Sequence, residues 1–281
     1  MTDDSLKVTF LGTGTSVGVP VLTCDCGVCT SEDPRNKRSR AGLLLEWDVA
    51  EDNGKEKGGN GPRSDTRRVR VLVDTSTDFR QQALRVGLER VDAVLYTHPH
   101  ADHIFGLDDV RLYNYRQRAA IPLYGNSDTM AAIQHTFKYA FVPGAKGVPR
   151  LSLHSVNKAF DLFGRTITPI SVWHDSMRIH AYRIGSFAYV TDCSLIPPEA
   201  LEQLEGLEVL AIDALRREPH PSHFTLEQAL EQIAQLRPRH ALLTHLSHDF
   251  DHASLEAELS DRAGVAYDGL VIEVGGAKEG V

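Results

Sequence analysis

No run of about 18 consecutive apolar residues occurs in the chain, so no membrane-spanning helix is expected. Residues 1–7 are acidic and polar and lack the basic-then-apolar order of a secretory leader, and the expected location is the cytoplasm. Positive charge is also short: 30 Lys and Arg stand against 38 Asp and Glu, a formal balance of −8. Binding to nucleic acid rests on clustered basic side chains. The one dense group near a loop, Arg63, Arg67, Arg68 and Arg70, reads as a solvated face, so nucleic acid is not an expected partner. Cysteine is sparse, with four in the chain. Three of them, Cys24, Cys26 and Cys29, lie close together, and in a reducing compartment such a cluster points to metal before disulfide.

Against these absences stands an ordinary globular composition, 281 residues with 42% hydrophobic content, enough for a sizeable core. The expected organisation is a single domain over residues 1–281. Strand-like runs are predicted near 7–11, 42–47, 69–73, 93–96 and 122–124, then at 165–172, 179–184, 187–191, 209–213 and 240–244. Helix-like stretches over 79–86, 103–117, 127–137, 198–204 and 225–235 are interleaved with them. Two successive halves of this kind imply an α/β fold of αββα type, two mixed sheets with helices on the outer faces. Residues 48–68 hold almost no apolar side chains and are expected to form a flexible insertion at a hairpin tip.

The densest chemistry lies in Thr97-His98-Pro99-His100-Ala101-Asp102-His103, where an apolar strand ends and a helix begins. Three imidazoles and a carboxylate on one turn can converge on a point, and these are ligands that borderline divalent metals accept. Further candidates follow later apolar strands: His174, Asp192 and His245. The thiol loop Cys24-Asp25-Cys26-Gly27-Val28-Cys29 needs a fourth ligand for a tetrahedral site, and both His248 and Cys193 are available. His220 and His223 precede a helix that Ser222 or Thr225 can cap. Asp74, at the end of a strand, can form a turn or cap the helix that follows.

Together these motifs resemble the metallo-β-lactamase superfamily, from Leu11-Gly12-Thr13-Gly14 to the last strands. The resemblance implies that His98, His100 and His174 hold one metal, that Asp102, His103 and His245 hold a second, and that Asp192 bridges them. It would also make Asp74 the buried aspartate that orients ligand histidines. Cys24-x-Cys26-x-x-Cys29 with His245-x-x-His248 is similar to the PhnP-type cyclic phosphodiesterases. That similarity implies His248 as the fourth ligand of a structural zinc, and likeness to the phosphodiesterases of the wider superfamily implies His223, rather than His220, as the acid that protonates a departing alkoxide. The expected cofactors are two divalent ions, zinc, manganese or iron, and one structural zinc.

The function this implies is hydrolysis of a small, even cyclic, phosphodiester by a hydroxide bridging two metals, with Asp102 helping to orient the water. A homodimer is compatible with it. The competing readings are another ester or thioester hydrolase, a tRNA 3′-end nuclease-like enzyme, and a non-catalytic zinc or redox sensor. The two separate ligand sets predict more than two metal ions per chain in protein never exposed to chelator. Elemental analysis giving a single ion per chain would contradict this expectation.

Overall fold

The computed structural model describes residues 5–50, 66–259, 261 and 263–275. The first half of the chain supplies β1 (Leu6–Gly12), β2 (Gly42–Ala50), β3 (Thr66–Val73), β4 (Ala93–Leu95), β5 (Ile121–Gly125) and β6 (Leu151–Ser155). The second supplies β7 (Phe160–Leu162), β8 (Arg165–His174), β9 (Met177–Ile184), β10 (Phe187–Val190), β11 (Val209–Asp213), β12 (His240–Thr244), β13 (Ala263–Val265) and β14 (Val271–Val274). They form two seven-stranded sheets, ordered β14-β1-β2-β3-β4-β5-β6 and β13-β12-β11-β10-β9-β8-β7. The last strand thus returns to pair antiparallel with the first.

The layers follow from the side-chain period of two. In β2, Leu43, Leu45 and Trp47 face the second sheet and meet Ile167, Tyr182, Phe187 and Tyr189, whereas Leu44 faces outward. Outward residues Leu44, Leu72 and Val94 pack beneath α1 (Phe79–Arg85), α2 (Ala101–Ile104), α3 (Arg111–Gln117) and α4 (Ser127–Thr136) through Phe79, Ile104, Met130 and Ile133. On the opposite side Leu210, Ile212 and Leu243 pack beneath α5 (Pro198–Gln203), α6 (Leu226–Leu236) and α7 (His252–Glu258). Central strands covered on both faces read as unbroken apolar runs. The result is the αββα sandwich that the sequence implies. No helix among the described residues is long and apolar enough to cross a membrane.

Two expectations need correction. Part of the expected 48–68 insertion is strand: β2 and β3 continue their ladder through Asp48↔Arg68, Val49↔Arg67 and Ala50↔Thr66. Ion pairs hold this polar end, Arg68 to Asp48 at 2.6 Å, with Arg67 reaching Asp92 at 2.7 Å and Arg70 reaching Glu46 at 3.1 Å. The remainder of the insertion, 51–65, lies outside the described residues, as does Arg63. The helix expected over 103–117 is broken into α2, a 3₁₀ turn at Leu107–Val110, and α3. Gly106 stands at the break, where its N–H bonds the Thr75 carbonyl at 2.9 Å.

The sheets place the chemistry. β3, β4 and β5 run parallel, as do β10, β11 and β12, so within each sheet their carboxyl ends open on one edge, the usual place for a site in such folds. Gly106 is pressed against the loop at that edge: a Cβ there would lie 2.1 Å from the Ser76 carbonyl oxygen and 2.6 Å from the Phe79 Cβ. Gly106→Ala is therefore expected to destabilise the fold by about 1–3 kcal/mol, the usual cost of overpacking. Thermal unfolding checks this; a midpoint equal to that of the wild type would show that the loop yields freely.

Candidate metal centre and its surroundings

His98, fully buried, follows β4 by three residues, and His100 is the N-cap of α2, which carries Asp102 and His103. His98 Nε2 stands 3.1 Å from His100 Nδ1, and the ring of His174, at the end of β8, lies 5.2 Å and 4.9 Å from theirs. Ligand atoms of these three residues all fall within 4.8 Å of one another. A second group forms beside it. Nε2 of His103 is 3.2 Å from Asp102 Oδ2 and 3.3 Å from Asp192 Oδ1, and Nε2 of His245 is 3.2 Å from that same oxygen. His98 Nε2 is 3.8 Å from it, which sets Asp192 between the two groups.

The spacing fits a metal. Nitrogen and oxygen ligands about 2.0–2.1 Å from a tetrahedral ion stand about 3.3–3.4 Å apart. The Nε2 atoms of His103 and His245 are buried without a hydrogen-bond partner, a costly state unless something accepts their lone pairs.

The other face of each ring is held in turn. Asp74 accepts the Nδ1–H of His103 at 2.7 Å together with the Thr97 N–H and hydroxyl, both at 2.8 Å. Of its two sequence readings the orienting one fits, since Asp78, not Asp74, precedes α1. The Thr97 hydroxyl has one proton, given to Asp74, so toward His98 Nδ1 at 2.9 Å its oxygen accepts and leaves the His98 Nε2 lone pair for the site. His174 donates from Nδ1 to the Ser222 carbonyl at 2.9 Å. Such partners fix tautomer and ring orientation. Asp74, Asp192 and His245 all adopt left-handed backbone, with φ of 63°, 55° and 59°, a strain of about 1–3 kcal/mol each that the surrounding packing must offset.

Electrostatics follows from burial. Burial, with His103 beside it, keeps the pKa of His98 well below the usual imidazole value. Burial works against charge on His103 too, but Asp192, Asp74 and Asp102 outweigh it and hold this pKa well above the ordinary range. His245, likewise buried, is lifted to about 9 by Asp192 and Asp213. The cluster therefore demands positive charge, which divalent ions would supply in place of protons.

His223 sits beside this centre. Its ring stacks on His245 with centroids 4.7 Å apart and meets His174 edge-on at 4.8 Å. Its Nδ1 lies 2.9 Å from Asp213 Oδ2. Asp213 also stands 3.5 Å from His245 Nδ1, and the sequence reading overlooked it. The signal was present: it closes an apolar strand, as Asp192 follows one. Thr225, rather than Ser222, caps α6 through a reciprocal box with Gln228.

At the thiol loop, the sulfurs of Cys24, Cys26 and Cys29 stand 3.3, 3.5 and 3.5 Å from His248 Nδ1. A tetrahedral zinc with Zn–S near ~2.3 Å and Zn–N near ~2.0 Å spaces sulfur and nitrogen about 3.5 Å apart. The Cys29 backbone N–H is the chief influence drawing the Cys26 thiol down to about 6. Cys193 is not part of this cluster: it is buried in the apolar core of the second sheet.

Two sheets whose strand ends gather histidine and aspartate into adjoining clusters define the metal-binding hydrolase fold of the metallo-β-lactamases. Residues 69–246 match the family model of the β-lactamase superfamily domain. A crystal structure described as a new diphosphatase from the PhnP family is 40% identical, with 96% of this chain and 97% of that one covered and a TM-score of 0.84. The chain belongs to the β-lactamase superfamily and, within it, is PhnP-like. Zinc-bound PqqB of Methylobacterium extorquens shares the fold at 19% identity, with 95% and 99% of the chains covered and a TM-score of 0.69. A curated octanoyltransferase of Porphyromonas gingivalis (strain ATCC BAA-308 / W83) is 38% identical over 273 residues, 94% of this chain and 51% of that protein. The chain thus spans about half the length of that relative.

If the thiol cluster holds a structural zinc, Cys26→Ser should lose about one zinc per chain and lower the thermal midpoint, while folded protein keeps its centre at the sheet edge. Unchanged zinc content and midpoint would remove the structural role.

Proposed function

We propose that this protein hydrolyses the P–O bond of a small phosphodiester. In this reading His98, His100 and His174 hold one divalent ion, Asp102, His103 and His245 hold another, and Asp192 lies between them; zinc, manganese and iron all suit such ligands. Cys24, Cys26, Cys29 and His248 hold a structural zinc. Ions bound at the sheet edge supply Lewis acidity, which makes water nucleophilic near pH 7 and offsets charge on a phosphoryl group.

The observation that carries the reading is the His223–Asp213 pair. With Nδ1–H donated to Asp213 at 2.9 Å, Nε2 is the nitrogen left to pass a proton to the leaving oxygen. His223 belongs to a group with His174 and Asp192 whose ligand atoms lie within 4.8 Å of one another, so it can reach a leaving oxygen at the centre. Asp102, on the turn of α2 with a side chain 12% exposed, can help orient the attacking water. The diphosphatase relative at 40% identity also acts at phosphorus by its description, which favours this chemistry over thioester or lactam hydrolysis. The octanoyltransferase is about twice as long as the stretch it shares, so acyl transfer is not assigned to this chain.

His223→Ala should retain metal and lose about 10²–10⁴-fold in rate on a diester with a poor alkoxide leaving group. The loss should be much smaller with p-nitrophenolate, which departs without a proton. Asp192→Ala should lose metal and activity together. Equal losses for His223→Ala on both leaving groups would withdraw the acid role, and faster turnover of an octanoyl thioester than of any diester would overturn the phosphoryl reading.

A further inference from the structure

His220 is not used by the mechanism above, yet it is held as firmly as the residues that are. It stands between Pro219 and Pro221, which fix φ and remove two backbone donors. Arg216 ties the loop by donating from Nε to the Glu218 carbonyl at 3.1 Å and from Nη2 to the Pro219 carbonyl at 2.9 Å. The loop is closed by the bridge between Arg216 and Thr225.

The tautomer of His220 follows from one contact. The Ser222 backbone N–H points to His220 Nδ1 at 3.3 Å, and the Ser222 hydroxyl lies 3.1 Å from the same nitrogen. A backbone N–H can only donate, so Nδ1 is the acceptor and Nε2 carries the ring proton. Burial, with His223 and Arg216 near it, lowers the pKa of His220, which keeps that neutral tautomer at pH 7. Ser222 also accepts from His174 through its carbonyl at 2.9 Å. One residue therefore sets the position of a metal-centre imidazole with its oxygen and of His220 with its nitrogen.

The His220 ring lies 5.1 Å from that of His223, which in turn touches His174 and His245. His220 is half-buried, and among the described residues its Nε2 has no hydrogen-bond partner, which leaves the N–H for a ligand. When His223 protonates the leaving oxygen, a donor one ring further out meets what that oxygen is attached to. A methyl group offers it nothing; a second phosphoryl group offers anionic oxygens, and Arg216 adds positive charge nearby.

We propose that His220 is a specificity-determining residue whose Nε2–H binds an anionic oxygen of the leaving group, so that the preferred substrate carries a second phosphoryl group next to the scissile bond. This rests on the reading of the centre as a phosphoryl hydrolase. On adenosine diphosphate, water oxygen bonds to the α-phosphorus and the bridging P–O bond breaks with its electron pair on the bridging oxygen. His220 holds the departing phosphate, and the products are AMP and phosphate.

The test compares the metal-loaded enzyme and its His220 variants on adenosine diphosphate and on bis(p-nitrophenyl) phosphate. A hydrogen bond to a charged acceptor predicts that His220→Ala loses about 10–100-fold more kcat/KM on the diphosphate than on the diester, mainly through KM. His220→Gln, whose terminal amide places N–H near the position of Nε2, should restore most of it, and His220→Asn, which mimics Nδ1, should not. Equal losses on both substrates at an unchanged thermal midpoint would mean a merely structural loop and overturn the proposal. So would a wild-type enzyme that cleaves the diester but not the diphosphate. Turnover of neither substrate would instead overturn the phosphoryl reading on which the proposal stands.

Discussion

Four carboxylates converge between the two sheets. The side chains of Asp74 and Asp213 are fully buried, and those of Asp192 and Asp102 are 3% and 12% exposed. Taking each such charge out of water costs several kcal/mol unless opposite charge is placed against it. The arrangement of histidines answers that demand: His103 and His245 can carry protons when no cation is present, and His98 stays neutral. A divalent ion binding there would therefore release protons, and its affinity would rise with pH until those rings are neutral.

The same demand shapes the backbone. A strand cannot turn three side chains inward at its end and continue regularly, and at Asp74, Asp192 and His245 the chain adopts left-handed φ instead. Asp213 meets its neighbours from the last position of β11 in ordinary strand geometry. Ladder, strained turn and outward helix form one repeated device, used on both sheets.

Much of this was legible in the sequence because it is local. His98, His100, Asp102 and His103 lie within six positions, and an apolar strand leading into them signals a turn. Central strands such as β10 and β11, buried at every position, are written as apolar runs. The three-residue strands β7 and β13 lie at sheet edges and are only partly buried, so they lack the apolar run that marks the equally short but central β4. The polar end of the β2–β3 hairpin reads as loop in the sequence because its cross-strand pair there, Asp48 with Arg68, is ionic and shows no apolar alternation. Asp213 was overlooked although it obeys the strand-end rule. The tautomers of His98 and His220 could not be read at all, since each is set by a neighbour's hydrogen bond.

The thiol loop has a consequence in time. Cys24, Cys26 and Cys29 meet a His248 that lies far along the chain, 219 residues beyond the last of them. A ribosome adding about 5–20 residues per second needs roughly 10–40 s to pass from the last of these cysteines to the histidine. For that interval three thiols stand on the nascent chain without their fourth partner. Closure of the cluster thus waits until His248 has been made, and until then the nascent chain is more open to oxidation than the folded domain.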